Sequence, residues 1–221
     1  MATVEQTTVL TTEARGLSEE GANCLTHGLG LALSVLGTAH LLGEAYARGD
    51  KWQFAGCGIY GLTLILLYGA STLSHSFHDA RRRNFWRMMD QVCIFLLIAG
   101  SFTPFGLTYL RDGWLLGILF VMWGLAFFGV FFKVAYSQLD NVSTSTYVLM
   151  GWLPVVAIEP IITRFPGMAL AWIVAGGLCY TIGTWFLTYD YKARYFHAVW
   201  HLLVIAGSAC HYIAVRQYVL V

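Results

Sequence analysis

Histidine is the residue type in this sequence whose placement points most directly to chemistry. His197 and His201 are four residues apart, and on a helix this spacing puts both rings on one face, about 6 Å apart along the axis. Two such imidazoles can bind one metal ion, and a third would complete the ligand set of a catalytic zinc, in which water takes the fourth position. Imidazole with a carboxylate nearby also binds iron or copper, so Zn²⁺ is the preferred cofactor among several metals.

The composition determines which kind of element must hold these side chains. Of the 221 residues, 57% are hydrophobic and 11% are charged, whereas about a quarter of the residues in soluble domains are charged. This composition excludes a soluble monomer. The charged residues also cluster, and they leave seven charge-free stretches: 21–43, 52–78, 91–110, 113–132, 141–158, 165–189 and 195–215.

Each charge-free stretch is long enough to cross a bilayer as a helix, because a helix rises about 1.5 Å per residue and the hydrocarbon layer is about 30 Å thick. The fifth stretch, 141–158, is the shortest. The strands of a membrane barrel would alternate in polarity, and these stretches do not. The sequence therefore predicts an all-α polytopic membrane protein, a seven-transmembrane helix bundle in a plasma membrane or bacterial inner membrane.

The domain organisation follows from the short connections, which have 2–12 residues and leave no room for an extramembrane domain. We predict a polar N-terminal tail, 1–20, without the apolar segment of a removable signal peptide, and one seven-transmembrane domain, 21–221. The net charge of +1 argues against a nucleic-acid partner. Membrane lipids are the expected partners, and the sequence does not indicate an oligomeric state.

The orientation is predicted from the basic residues. Eight lie on the side of the N-terminus and five on the other, and the run Arg81–Arg83 provides most of the difference. Because cytoplasmic loops are enriched in Lys and Arg, we expect the N-terminus in the cytoplasm and Val221 outside. Cysteine labelling should find the run Arg81–Arg83 and Val221 on opposite sides, and finding both on one side would contradict this orientation.

Six ionisable side chains occupy the same end of their predicted helices, the cytoplasmic end in this orientation: His27, His75, His78, Asp90, His197 and His201. Ionisable groups at membrane depth are costly and usually face the bundle interior, so one shared site is the economical explanation. His211 lies ten residues, about 15 Å, beyond His201. At that distance it is expected to make a hydrogen bond within the bundle instead.

The motifs around these residues resemble those of one family. The segments Glu20–His27, Ser71–His75 and His197–His201, with Asp90 and Ser101–Phe105, are similar to the hemolysin III family. That family is similar to the progestin and adipoQ receptors, which include the adiponectin receptors, and more distantly to the alkaline ceramidases. The resemblance covers the chain from Glu20 onward.

The resemblance implies a zinc held by His75, His197 and His201, with Ser71 and Asp90 near the metal-bound water. For a hydrolase, Asp90 is the expected general base and Ser71 the expected hydrogen-bond donor to the developing oxyanion. The substrate would be a lipid amide or ester, as for the alkaline ceramidases. Glu20, Asn23 and His27 form one helical stripe, and they are expected to support the site or to tie the first helix to its neighbours.

Two other function classes stay open on the sequence alone. A membrane receptor or membrane-homeostasis regulator with a structural zinc would need the same histidines. A pore-forming cytolysin would need polar positions along the whole length of its lining helices, whereas the ionisable groups here concentrate at one end. His78 and Asp79 are an alternative ligand cluster next to His75, although a position in the headgroup zone is expected for them.

Overall fold

The computed structural model describes residues 18–111, 115–136 and 144–220, and within these ranges the chain forms helices and no strand. Seven segments are long and apolar enough to cross a membrane, which confirms the predicted number of spans. The helices are α1 (Glu19–Arg48), α2 (Lys51–Ser76), α3 (Ala80–Tyr109), α4 (Leu116–Ala135), α5 (Thr144–Gly151), α6 (Ile158–Arg164), α7 (Gly167–Thr188) and α8 (Phe196–Ala214).

The fifth span consists of several helical pieces. It runs from Thr144 to Arg164 as α5, a 3₁₀ segment Leu153–Ala157 and α6. Pro154 and Pro160 lie within it, and proline lacks the backbone N–H that a continuous helix needs. The span thus extends beyond the predicted stretch 141–158, of which residues 141–143 lie outside the described ranges.

The prediction of a 12-residue connection before the third span is wrong. The helix α3 begins at Ala80, where the side chain of Asp79 accepts a hydrogen bond from the Arg82 N–H and caps the helix. A helix can continue beyond the hydrocarbon layer, where charged residues are solvated. The basic run Arg81–Arg83 accordingly forms the first turn of α3. Asp90, expected at the entry to this helix, lies about three turns into it.

Short turns keep the first three helices close together. Gly49 ends α1 in the left-handed conformation, with φ of 77°, which favours glycine. Asp50 then caps α2 by accepting from the N–H groups of Trp52 and Gln53. The ends of α2 and α3 are separated by three residues, so α1, α2 and α3 pack as consecutive antiparallel neighbours.

The bundle closes because α8 packs against both α7 and α1. Hydrogen bonds from the Tyr60 hydroxyl to the Ser208 carbonyl, 3.0 Å, and from the Tyr68 hydroxyl to the Ser208 hydroxyl, 2.8 Å, join α2 to α8 in the core. Large apolar side chains on the outer sides of α1 and α4 are exposed, including Leu36 and Phe120. These surfaces are suited to contact with lipid chains.

Two membrane faces of the bundle can be defined from the topology. The N-terminal face is where α1, α3 and α8 begin and α2 ends, and the C-terminal face is the opposite one. Which of them lies in the cytoplasm stays a prediction from the basic residues. Most of the expected tail 1–20, with the Arg15 used in that prediction, lies outside the described residues.

Candidate metal centre

Three histidines converge at the N-terminal face of the bundle. His75 lies in the last turn of α2, and His197 and His201 lie in the first two turns of α8. One ligand nitrogen of each ring lies within 4.8 Å of those of the other two. The ring centroids of His75 are 5.1 Å from His197 and 5.2 Å from His201. The structure thus brings together the three residues that the sequence proposed as ligands.

The second nitrogen of each ring faces an oxygen acceptor. His75 Nδ1 lies 2.6 Å from the Glu20 carboxylate, and His197 Nδ1 lies 3.0 Å from the Asp190 carboxylate. His201 Nδ1 lies 3.2 Å from the Asn23 carbonyl oxygen and 3.1 Å from the Thr26 hydroxyl, which donates its own hydrogen to backbone carbonyls of α1 and can therefore accept from His201. Because carboxylates and carbonyls only accept hydrogen bonds, the hydrogen of each neutral ring is on Nδ1 and the Nε2 lone pair is free.

Free Nε2 lone pairs in this arrangement fit a metal ion. The Nε2 atom of His201 is buried and has no hydrogen-bond partner among the described residues, although such an atom is costly to leave unpaired. Histidines that bind metals usually donate their other N–H to a carboxylate or a carbonyl. Three imidazoles with an open position are the donor set of catalytic zinc sites, so the residues present fit Zn²⁺.

The residues Glu20 and Asn23, from the motif at the start of α1, make different contacts. Glu20 bonds to His75 and also lies 3.6 Å from the Arg87 guanidinium, so it ties α1 to α2 and α3. Asn23 supports His201 through its backbone carbonyl, while its side-chain oxygen is buried without a partner. The start of α1 therefore contacts two of the three histidines, His75 and His201, and orients their rings.

Asp190 is a site residue that the sequence analysis missed. It belongs to a 3₁₀ segment, Asp190–Lys192, before α8, and the chain then turns through Tyr195, which has a positive φ of 66°. This conformation is uncommon for residues other than glycine. It belongs to the turn that sets Asp190 beside His197. The only available signal was an acidic residue seven positions before a candidate ligand.

His27 has the most unusual surroundings of the histidines. Its ring stacks on that of His201, with centroids 3.5 Å apart and an interplanar angle of 16°, and its other side contacts the edge of Tyr68. The residue is 2% exposed. Both ring nitrogens are buried without a partner among the described residues. The core therefore holds this ring tightly in place and leaves its polar atoms unpaired.

A cavity of about 210 Å³ extends through the bundle, and although its lining does not include the three histidines, it includes His27, which stacks on His201. His27 and Asp90 line one end of it, and Phe165 and Leu170 line the other end. Its wall is mostly apolar and includes Val155 and Val174, which are 48% and 44% exposed. The cavity therefore borders the outer surface between the fifth span and α7.

Asp90 and Ser71 lie next to each other but differ in their access to the cavity. Asp90 lines it, whereas Ser71 is completely buried on α2 near Asp90 and is not part of the lining, and its hydroxyl oxygen has no hydrogen-bond partner among the described residues. This position suits Ser71 for orienting the Asp90 carboxyl group. The predicted bond from Ser71 to a substrate oxygen has less support, because the hydroxyl does not face the cavity.

The two remaining histidines of interest lie apart from the three ligands. His78 is exposed beyond the end of α2. His211 donates from Nε2 to the Ile173 carbonyl oxygen at 3.2 Å, a hydrogen bond within the bundle as the sequence analysis expected.

Comparison with known proteins agrees with the motifs. The model of the family described as haemolysin-III related matches residues 15–212. The protein belongs to this family. It is 38% identical to "Hemolysin-3" of Bacillus cereus over 207 residues, which cover 92% of this chain and 93% of that protein.

Two further relatives match over most of the chain. The chain is 34% identical to "Hemolysin-3 homolog" of Bacillus subtilis (strain 168), over 91% of this chain and 95% of the relative. It is 29% identical to human "Monocyte to macrophage differentiation factor", over 90% of this chain and 84% of the relative. The predicted resemblance is thereby confirmed, as is the assignment to a multi-pass membrane protein.

Proposed function

We propose that this protein is a zinc-dependent intramembrane hydrolase that cleaves a lipid amide or ester. The observation that carries the proposal is the cluster of three imidazole nitrogens within 4.8 Å of one another, together with a mostly apolar cavity lined by Asp90 and by His27, whose ring stacks on His201. His75, His197 and His201 would hold the metal, with Glu20, Asp190 and the Asn23 carbonyl orienting their rings. A bound Zn²⁺ supplies Lewis-acid polarisation of a carbonyl and activation of a water molecule.

Asp90 and His27 are the residues of this chain proposed to act on the substrate. Asp90 accepts the proton that the attacking water loses and returns it to the leaving nitrogen or oxygen as the carbonyl–heteroatom bond breaks. Ser71, buried near Asp90, would orient its carboxyl group. A neutral His27 carries one N–H that has no partner among the described residues. We assign to it the hydrogen bond to the carbonyl oxygen as negative charge develops there.

The shape of the cavity supports a lipid substrate. Lining residues on α3 run from Asp90 to Phe105, a distance of about 22 Å along the helix. One leaflet of the hydrocarbon layer is about 15 Å deep, so the cavity has the length of a lipid chain. A chain in the membrane would enter where Val155 and Val174 border the outer surface.

The test is hydrolysis of a panel of ceramide-like lipid amides by purified protein in liposomes. Asp90→Asn keeps the shape of the side chain and removes the base, so turnover should fall by roughly 10²- to 10⁴-fold while zinc content stays unchanged. Equal turnover in both proteins would remove Asp90 from the mechanism. An inactive wild-type protein across the panel would favour the regulator with a structural zinc.

A second candidate function comes from the name of the bacterial relatives, "Hemolysin-3". A cytolysin would release a dye from vesicles, and release that is independent of Asp90 would favour that function. The mostly apolar wall of the cavity supports lipid binding over a water-filled pore.

A further inference from the structure

The lining of the cavity has buried nitrogen atoms without partners in two places among the described residues. One is His27, beside the metal centre, and the other is Nδ1 of His211. The hydroxyl groups of the lining all have hydrogen-bond partners within the protein; they belong to Ser101, Tyr147, Tyr180, Thr181 and Thr184. His211 is therefore a second unpaired polar position in the lining, away from the three metal-site histidines.

The missing partner of His211 must be a hydrogen-bond donor. Its Nε2 lies 3.2 Å from the Ile173 carbonyl oxygen, which can only accept, so Nε2 carries the hydrogen of the neutral ring. The Nδ1 atom is then a bare lone pair. A charged ring would place its charge in a mostly apolar wall, which is costly. Carbonyl and ester oxygens cannot satisfy this atom, whereas a hydroxyl or an amide N–H can.

The ring of His211 is held firmly in place. Its Cδ2 and Nε2 edge lies directly against Gly176 on α7, where an added Cβ would be only 2.4 Å from Cδ2. The edge of the ring meets Tyr180 at a centroid distance of 5.5 Å. The residue is 9% exposed. Gly176 leaves room for the ring, and the hydrogen bond to Ile173 fixes Nε2. Together they fix the position of Nδ1.

We propose that His211 forms a second polar subsite of the cavity, where Nδ1 accepts a hydrogen bond from a hydroxyl group on the hydrocarbon chain of a bound lipid. A lone water molecule fits less well, because a buried water needs two to four polar partners and the wall of the cavity is mostly apolar. The lipid-binding cavity is shared with the proposed function, but the subsite does not depend on hydrolysis.

The position of the hydroxyl follows from the helix geometry. His211 lies ten residues after His201 on α8, about 15 Å along the axis. An extended chain advances about 1.2 Å per bond, as in a polypeptide of three bonds per residue. A lipid whose carboxyl end lies at the three histidines therefore reaches His211 about 12 bonds along its chain.

The experiment compares the binding of three fatty acids to the purified, zinc-loaded protein: octadecanoic acid, its 12-hydroxy derivative and its 2-hydroxy derivative. The 12-hydroxy acid should bind about 3- to 10-fold more tightly than the other two, the gain of one hydrogen bond. The 2-hydroxy acid has the same composition but places its hydroxyl near the metal centre, so it controls for polarity.

His211→Phe keeps an aromatic ring and removes the acceptor, so the preference for the 12-hydroxy acid over octadecanoic acid should disappear. His78→Phe, a change outside the cavity, should keep the preference. If His211→Phe does not fold, a series of chain-hydroxylated acids with wild-type protein still decides, since affinity should peak near position 12. No preference, a preference that survives His211→Phe, or no binding of any acid would overturn the subsite. If the wild-type protein hydrolyses no lipid amide but binds the 12-hydroxy acid with the expected preference, the result counts against the proposed function and not against the subsite.

Discussion

Histidines at the two membrane faces of the bundle have opposite patterns of partners. At the C-terminal face, both nitrogens of His40 have partners: Nδ1 lies 3.0 Å from the Tyr212 hydroxyl and Nε2 lies 3.3 Å from Glu44. At the N-terminal face, each metal-site histidine has an acceptor for Nδ1 alone. The first arrangement ties α1 to α8, whereas the second brings one ligand nitrogen of each of three rings within 4.8 Å of the others.

Carboxylates lie beside histidines at both faces. The two faces differ in how many ring nitrogens of each histidine have a hydrogen-bond or ion-pair partner. Glu44 holds His40 and also lies 3.4 Å from Arg216, which makes a chain of ordinary polar contacts. Glu20 and Asp190 also lie beside histidines but leave Nε2 free. His27 stands at the far end of this series, because neither nitrogen has a partner among the described residues. Under the proposed function, the count of unpaired nitrogens would distinguish a structural tie, a metal ligand and a residue that contacts the substrate.

Of the predictions that follow from this comparison of the two faces, His27 gives the one with the largest expected effect on turnover. His27→Phe keeps the ring that stacks on His201 and removes both nitrogens, so zinc content should stay the same while kcat for a lipid amide falls by about 10²- to 10³-fold. This is the usual cost of losing one oxyanion donor. Zinc analysis and turnover on the same sample check it. Unchanged kcat would return His27 to a purely structural role.

The acidic partners of the ligands should have a smaller effect on metal affinity. Glu20→Gln and Asp190→Asn each replace the charged acceptor beside one ligand, and loss of such a contact typically weakens metal binding by 10- to 100-fold. Competition with a zinc chelator measures this change. Glu44→Gln is the matched control at the opposite face and should leave zinc affinity unaltered. Equal effects at Glu20 and Glu44 would erase the distinction between the two regions.

Much of the fold was predictable because charge is costly in lipid. The charge-free stretches identified seven spans, and the shared depth of histidines on separate helices identified the candidate site. The start of α3 was missed because Arg81–Arg83 belong to the helix although they lie outside the charge-free stretch that was used to predict it. The break in the fifth span had a signal in Pro154 and Pro160 that hydropathy alone does not capture.

The details of the site depended on contacts that spacing along a helix does not encode. Asp190 reaches His197 only because the chain turns through Tyr195. Ser71 and Asp90 come together because α2 and α3 pack closely, and their different access to the cavity depends on side-chain direction. The bond between His211 and Ile173 likewise depends on how α7 packs against α8. Such features follow from tertiary packing.

The most direct test of the central claim is the metal content of purified protein after loading with zinc, combined with X-ray absorption at the zinc edge. Wild-type protein should hold close to one zinc per chain, with nitrogen ligands at about 2.0–2.1 Å. His201→Ala should lose the metal and melt at a lower temperature, because metal binding contributes to folding stability, whereas His40→Ala should keep it. Full zinc occupancy in His201→Ala, or no zinc in the wild-type protein, would contradict the metal centre.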